Sequence, residues 1–133
     1  MSQATVTRLH DGPRNAVYHV SIVGDGLGDL TDEVIIDPTT FVPPGQAAPS
    51  LSMGRLWHDL NGFDAYLEFD YLGTDTPVWS MSQGPGPGEG VDLSAIGGLK
   101  DRSGALDGSG KLVLTTRGLG ADDRGTIVIL ATK

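Results

Sequence analysis

No cysteine occurs among the 133 residues. Neither a disulfide framework nor a cysteine-ligated zinc or iron–sulfur centre is therefore available, and the redox compartment is not legible. Aromatics are scarce, since two Trp, three Tyr and three Phe must serve both the core and any binding surface. Only three histidines are present. Basic residues number 9 against 17 acidic ones, a formal net charge of -8 that argues against direct neutralisation of nucleic-acid phosphates. No window approaches the roughly 18 apolar residues of a membrane span. The N-terminal MSQATVTRLHDGP also lacks an apolar stretch of signal-peptide length. The expectation is a protein of a soluble compartment with neither nucleic acid nor membrane as a direct partner.

What is abundant is chain punctuation. Twenty glycines and eight prolines interrupt the sequence too often for long helices, and the short apolar segments between them are rich in Val, Ile, Thr and aromatics. Candidate strands fall at 5–9, 16–23, 33–37, 51–60, 63–71, 77–81, 111–116 and 126–131. About eight short strands separated by Gly, Pro and Asp turns predict an all-β fold, a β-sandwich or jelly roll with long Gly/Pro-rich loops. The whole chain, 1–133, reads as a single such domain with a short N-terminal arm. Two connections are long: 38–50, PTTFVPPGQAAPS, and 82–110, which contains GPGPGEG and VDLSAIGGL. Loops of that length in a compact domain are often functional or ordered by a partner.

In LWHDLNGFDAYLEF, Asn61-Gly62 lies between two alternating runs and predicts a two-residue type I′ hairpin turn. The register then sets Leu56 opposite Leu67, His58 opposite Ala65 and Gly54 opposite Phe69 on an apolar face shared with Phe63. Asp59 with Asp64, Trp57 with Tyr66, and Arg55 with Glu68 fall on the other face. This reading places His58 at the core or its boundary and gives the polar face an exposed aromatic pair and a salt bridge. His19, in AVYHVSIV, is out of phase with Tyr18, Val20 and Ile22 and points to solvent or a partner.

The stretches that approach catalytic or ligand-binding motifs mostly misfit them. GSGKL at 108–112 resembles the end of a phosphate-binding loop, but Ala105 stands where its first glycine belongs and Leu112 replaces the Ser or Thr. A turn into the following strand accounts for those glycines. No G-x-S-x-G elbow occurs. A glycosidase needs an aromatic-lined cleft in addition to paired carboxylates, which the few aromatics hardly supply. The ten residues GDGLGDLTDE, 24–33, bring four carboxylates and three glycines together, as a hard cation would require. Counted from Asp25, however, the third position of a calcium loop is Leu27. A solvated inter-strand loop is the default reading, and a weak cation site at Asp25, Asp29 and Asp32 is the alternative. No cofactor, metal or catalytic residue is assigned.

Three segments, VSIVGDGLGDLTDEVIIDP, LEFDYLGTDTPVWSM and GSGKLVLTTRGLGADDRGTIVILATK, together resemble small β-rich virion structural proteins of tailed bacteriophages, including capsid decoration, or cement, proteins. The resemblance implies a non-enzymatic protein that binds the outer capsid shell and holds neighbouring capsid subunits together. It also implies the major capsid protein as partner and the capsid surface as location, after assembly in the bacterial cytoplasm; self-association is left open. Trp57, Tyr66, Arg55, Phe41, Pro43 and Pro44 are the candidate contact residues, on the aromatic pair and the first long loop. A carbohydrate- or receptor-binding β-sandwich module of a phage tail or other particle is the alternative.

Overall fold

A computed structural model describes residues 3–11, 15–26, 28–37, 52–71, 76–86, 90–93, 99–100 and 108–132. Among these residues there is no helix, and hence none long and apolar enough to cross a membrane. The strands are β1 (Gln3–Asp11), β2 (Asn15–Val23), β3 (Glu33–Ile36), β4 (Ser52–Asn61), β5 (Asp64–Tyr71) and β6 (Thr76–Met81). After them come the two-residue β7 (Gly84–Pro85), β8 (Val91–Asp92) and β9 (Leu99–Lys100), then β10 (Gly108–Arg117) and β11 (Arg124–Thr132). All eight strands expected from the sequence form, and the N-terminal Gln3 and Ala4 extend the first of them. Gly108 and Gly110, expected in a turn, lie inside β10, whose pairing with β5 is irregular between Gly108 and Leu112.

The strands make two antiparallel sheets, one ordered β1-β2-β11-β4 with β7, β8 and β9 along the far edge of β4, the other ordered β3-β10-β5-β6. The pairings nest: β2 with β11, β3 with β10, β4 with β7, and β5 with β6. The chain is thus one long hairpin doubled back on itself and wound into two layers, which is the strand order of a jelly roll. The fold is all-β and sandwich-like, with β1 added outside the nest.

Period-two burial drives the layering. In β2, Ala16, Tyr18, Val20 and Ile22 are buried while their neighbours are not. Ile127, Ile129 and Ala131 of β11 and Met53, Leu56 and Leu60 of β4 continue the same inner face. Ala65, Leu67 and Phe69 of β5, with Leu112 and Leu114 of β10, face them from the second sheet, and all join one apolar cluster. Alternating strands of this kind stabilise only when two such faces close on each other.

The hairpin expected at Asn61-Gly62 does not form. β4 belongs to one sheet and β5 to the other, so Leu56 is registered with Ile129 and Leu67 with Leu114 and Trp79. The pairing edges of β4 are taken by β11 and the short β7–β9 segments, and those of β5 by β10 and β6. Gly62 alone of the two residues has a positive φ, +95°, and the link turns a corner between layers. Phe63 follows at 2 % exposure and enters the core. A β-carbon on Gly125 would come within 2.6 Å of its ring and 2.8 Å of Leu60, so glycine is needed opposite the corner. Leu56, Phe63, Leu67 and Phe69 are all buried, as expected, but across two sheets rather than on one face of a hairpin.

Leu67 has no exposed surface and lies between Leu114 and Trp79. Leu67→Ala is expected to lower stability by about 2–5 kcal/mol in a denaturant titration; an unchanged midpoint would contradict the buried position.

Candidate functional site: the outer face of the larger sheet

Of the expected contact residues, Arg55 and Trp57 point outward from β4 and are brought together. Trp57 pairs with Val128 and Arg55 with Leu130 on β11, and all four are half-buried. The same rows continue across the sheet to His19 and Val17 of β2. Val17, His19, Val128, Leu130 and Trp57 therefore form a mostly apolar block on the outer surface of the larger sheet. Toward one end it gives way to polar groups, where Asp59, Asn61, Arg124 and Thr126 line an open hollow of about 580 Å³ with Pro85 at its side.

Trp57 is fixed within this face by its own domain. Gly90 has a φ of +78°, and a β-carbon there would lie 2.7 Å from the indole Nε1, so bare backbone rests against the ring. The Arg55 guanidinium carbon stands 5.7 Å from the ring centroid, within cation–π range. Arg55 Nη2 in turn donates to Asp92 Oδ2 at 3.0 Å, and both side chains are more than a third exposed. Such a pair stabilises little, about 0–1 kcal/mol, and acts mainly to orient Arg55. The salt bridge expected between Arg55 and Glu68 is not the one formed, because Glu68 lies in the other sheet.

Tyr66 is separated from Trp57 for the same reason. It sits half-buried on the outer face of the second sheet, registered with Thr115 and Ser80, with the Arg117 guanidinium carbon 5.9 Å from its ring. The aromatic pair of the expected hairpin is therefore two unrelated residues on opposite surfaces. Phe41, Pro43 and Pro44 lie outside the described residues. Sequence reasoning missed Val17, Val128 and Leu130. The signal was present in IVILA at 127–131, because an unbroken apolar run means burial pressure on both faces of a strand.

The acidic loop does not gather its carboxylates. Asp29 accepts hydrogen bonds from the Leu119 amide at 2.8 Å, the Thr116 hydroxyl at 3.1 Å and the Gly118 amide at 3.2 Å. Thr116 Oγ1 also accepts from the Leu30 amide at 2.9 Å. Asp32 instead gives its amide to Thr115 Oγ1 at 3.1 Å. Thr115 and Thr116 are successive residues of one strand and point to opposite faces, so they draw Asp32 and Asp29 apart. Among the described residues no group of three or more His, Asp or Glu is arranged to hold a metal ion. The Asp29 carboxyl is held below its ordinary pKa of 3.8 chiefly by the Leu119 amide, against a desolvation cost, with help from Gly118, Thr116 and Arg117.

His58 lies on the inner face opposite Ile127, as expected from its phase, but is only half-buried. Its carbonyl accepts from the Gly86 amide at 2.8 Å, and a β-carbon on Gly86 would meet the imidazole at 2.7 Å. Nδ1 is buried with no hydrogen-bond partner among the described residues. Burial pushes the imidazole below its ordinary 6.5, and the neighbouring Asp59 carboxylate works the other way. Comparison with family models, with curated proteins and with solved structures finds no match for this chain.

Two outcomes follow from these groups. Asp29→Ala is expected to cost about 1–2 kcal/mol, since two amides and a hydroxyl lose a charged acceptor at a largely exposed site. In a melting experiment the loss should be the same with calcium or with chelator, and chelator should leave the parent unshifted. Calcium stabilisation of the parent that Asp29→Ala abolishes would restore the cation reading. For His58 the folded-state pKa is the depressed one, so its contribution is fully present above the unfolded value and is lost as pH falls below it. Melting temperature should therefore drop as pH is lowered through about 6.5, and His58→Leu should flatten that part of the profile.

Proposed function

We propose that this chain is a non-enzymatic virion structural protein, a capsid decoration protein that docks on the outer capsid shell through the outer face of its larger sheet. The observation that carries the reading is the block of Val17, His19, Val128, Leu130 and Trp57. Apolar surface of that kind, rimmed by Arg55, Asp92 and Asp59, has the composition of an interface with an aromatic anchor and a polar border. The jelly-roll order adds support by analogy alone, since that fold serves viral shell proteins and lectins among many others. The three-segment resemblance points the same way. A lattice presents one binding site many times, so a modest contact on each subunit gives a firm hold when neighbouring copies are joined.

The cleanest probe is Val128, which lies on the central strand away from the Gly90–Leu93 segment that Trp57 supports. Purified protein is mixed with undecorated tailed-phage capsids, and the bound fraction is read after sedimentation. Val128→Lys should weaken binding by about 2 kcal/mol, roughly thirtyfold, with a much smaller change in melting temperature. Trp57→Ala should weaken binding too but also loosen the segment resting on the ring. Equal binding by parent and both variants would remove this face from the interface. A parent that ignores capsids and binds a glycan panel would replace the reading with the carbohydrate-binding one.

A further inference from the structure

The sheets have four lateral margins, and three are guarded against strand addition. β6 carries Pro77, which has no amide hydrogen to offer. β3 is only four residues long, begins with Glu33, and its pairing with β10 is irregular between Leu112 and Val113. The outer edge of β4 is taken by β7, β8 and β9. Natural sheets use short edges, proline, charge and bulges in this way to prevent edge-to-edge pairing.

β1 is the exception. It is nine residues long, and among the described residues no strand pairs with its outer edge. Its register against β2 is unbroken from Gln3 to Thr7 and shifts only between Arg8 and His10, where Leu9 is thrown outward at 60 % exposure. The bulge therefore protects one end and leaves Gln-Ala-Thr-Val-Thr, 3–7, with no charge, proline or irregularity. β1 also overhangs the sandwich. The opposing sheet begins with β3, which continues from β2, and the inward residues Ala4 and Val6 are correspondingly only partly buried against the core.

We propose that residues Gln3–Thr7 of β1 pair antiparallel with the same residues of a second copy, joining two larger sheets into one continuous sheet. The occupant is a second copy because the segment is self-complementary. A two-fold axis through Thr5 sets Thr5 against Thr5 of the second copy, Ala4 against Val6, and Gln3 against Thr7. Any such register matches even positions with even and odd with odd. Apolar residues then meet on the inner side and uncharged polar ones on the outer side. No like charges oppose each other across the pair, although each chain carries a net charge of -8. The overhanging Ala4 and Val6 of the two copies become neighbours and cover part of one another's apolar surface. Main-chain hydrogen bonds supply most of the attraction, as in other strand additions.

A contact of this size is weak, with a dissociation constant in roughly the micromolar to millimolar range. Sedimentation equilibrium on the parent should show a concentration-dependent rise from 13.9 kDa toward twice that mass. Thr5→Lys sets two ammonium groups face to face across the axis and should weaken self-association about tenfold or more at low salt, with partial recovery on adding salt. Thr7→Lys, two residues from the axis, serves as the second variant should the first fail to fold. Val128→Lys on the sheet face should leave the association unchanged. A parent that stays monomeric up to about 1 mM, beyond the expected range, would overturn the proposal. So would self-association untouched by both threonine variants, or abolished by Val128→Lys. The proposal does not depend on capsid binding, which is read in a separate experiment.

Discussion

The joint between the β2–β3 and β10–β11 connections is the constraint on which the two layers depend. The Gly24 amide donates to the Asp123 carbonyl at 2.9 Å, and the Thr116 amide to the Leu30 carbonyl at 3.0 Å. A β-carbon on Gly24 would fall 2.1 Å from the Gly120 carbonyl oxygen, so the two connections touch backbone to backbone. Asp29 then fastens the far side of the joint through Thr116, Gly118 and Leu119. Each connection runs from one sheet to the other. Tying them together sets the spacing at which Ile22 and Ile127 can meet Leu112 and Leu114, and an apolar core gains its full stabilisation only at close-packed spacing.

The strands were legible in the sequence because their pattern is local. In AVYHVSIV and LEF the alternation of buried and outward residues is a property of the strand itself, and the Gly, Pro and Asp between runs mark where it ends. Pairing was not legible in the same way. Asn61-Gly62 has the chemistry of a hairpin turn, but that chemistry constrains only the backbone at the bend. Whether the next strand lies beside the last or across from it depends on which partners claim their edges, and β11 is more than sixty residues further on. The outer face suffered from the same error. Trp57 and Tyr66 are neighbours only in a hairpin register, whereas the row through Trp57, Val128 and His19 exists only once β11 lies between β2 and β4.

The acidic loop shows why composition misleads about cation sites. Carboxylates close in sequence make a site only if the backbone turns them toward one point, and here adjacent threonines on one strand divide them between two surfaces. Asp29 is used as a multiple acceptor for amides, a structural task for which a short anionic side chain is well suited. The glycines around it serve contact in the same sense. Gly24 permits the close approach just described, and Gly26, with φ of +80°, turns the chain where a β-carbon would press on Ala121.

The nested strand order also bears on how the protein is made. β11 lies at the middle of the larger sheet, registered on one side with β2 and on the other with β4, yet it is the last of the described strands to be synthesised. A nascent chain leaving the ribosome can close β5 on β6, and later β10 on β5, while β2 and β4 still have no strand between them. The facing edges of both wait unpaired through that interval, and unpaired strand edges are what expose incompletely folded chains to mispairing. Folding of the larger sheet thus waits on the synthesis of β11, the strand that joins β2 to β4.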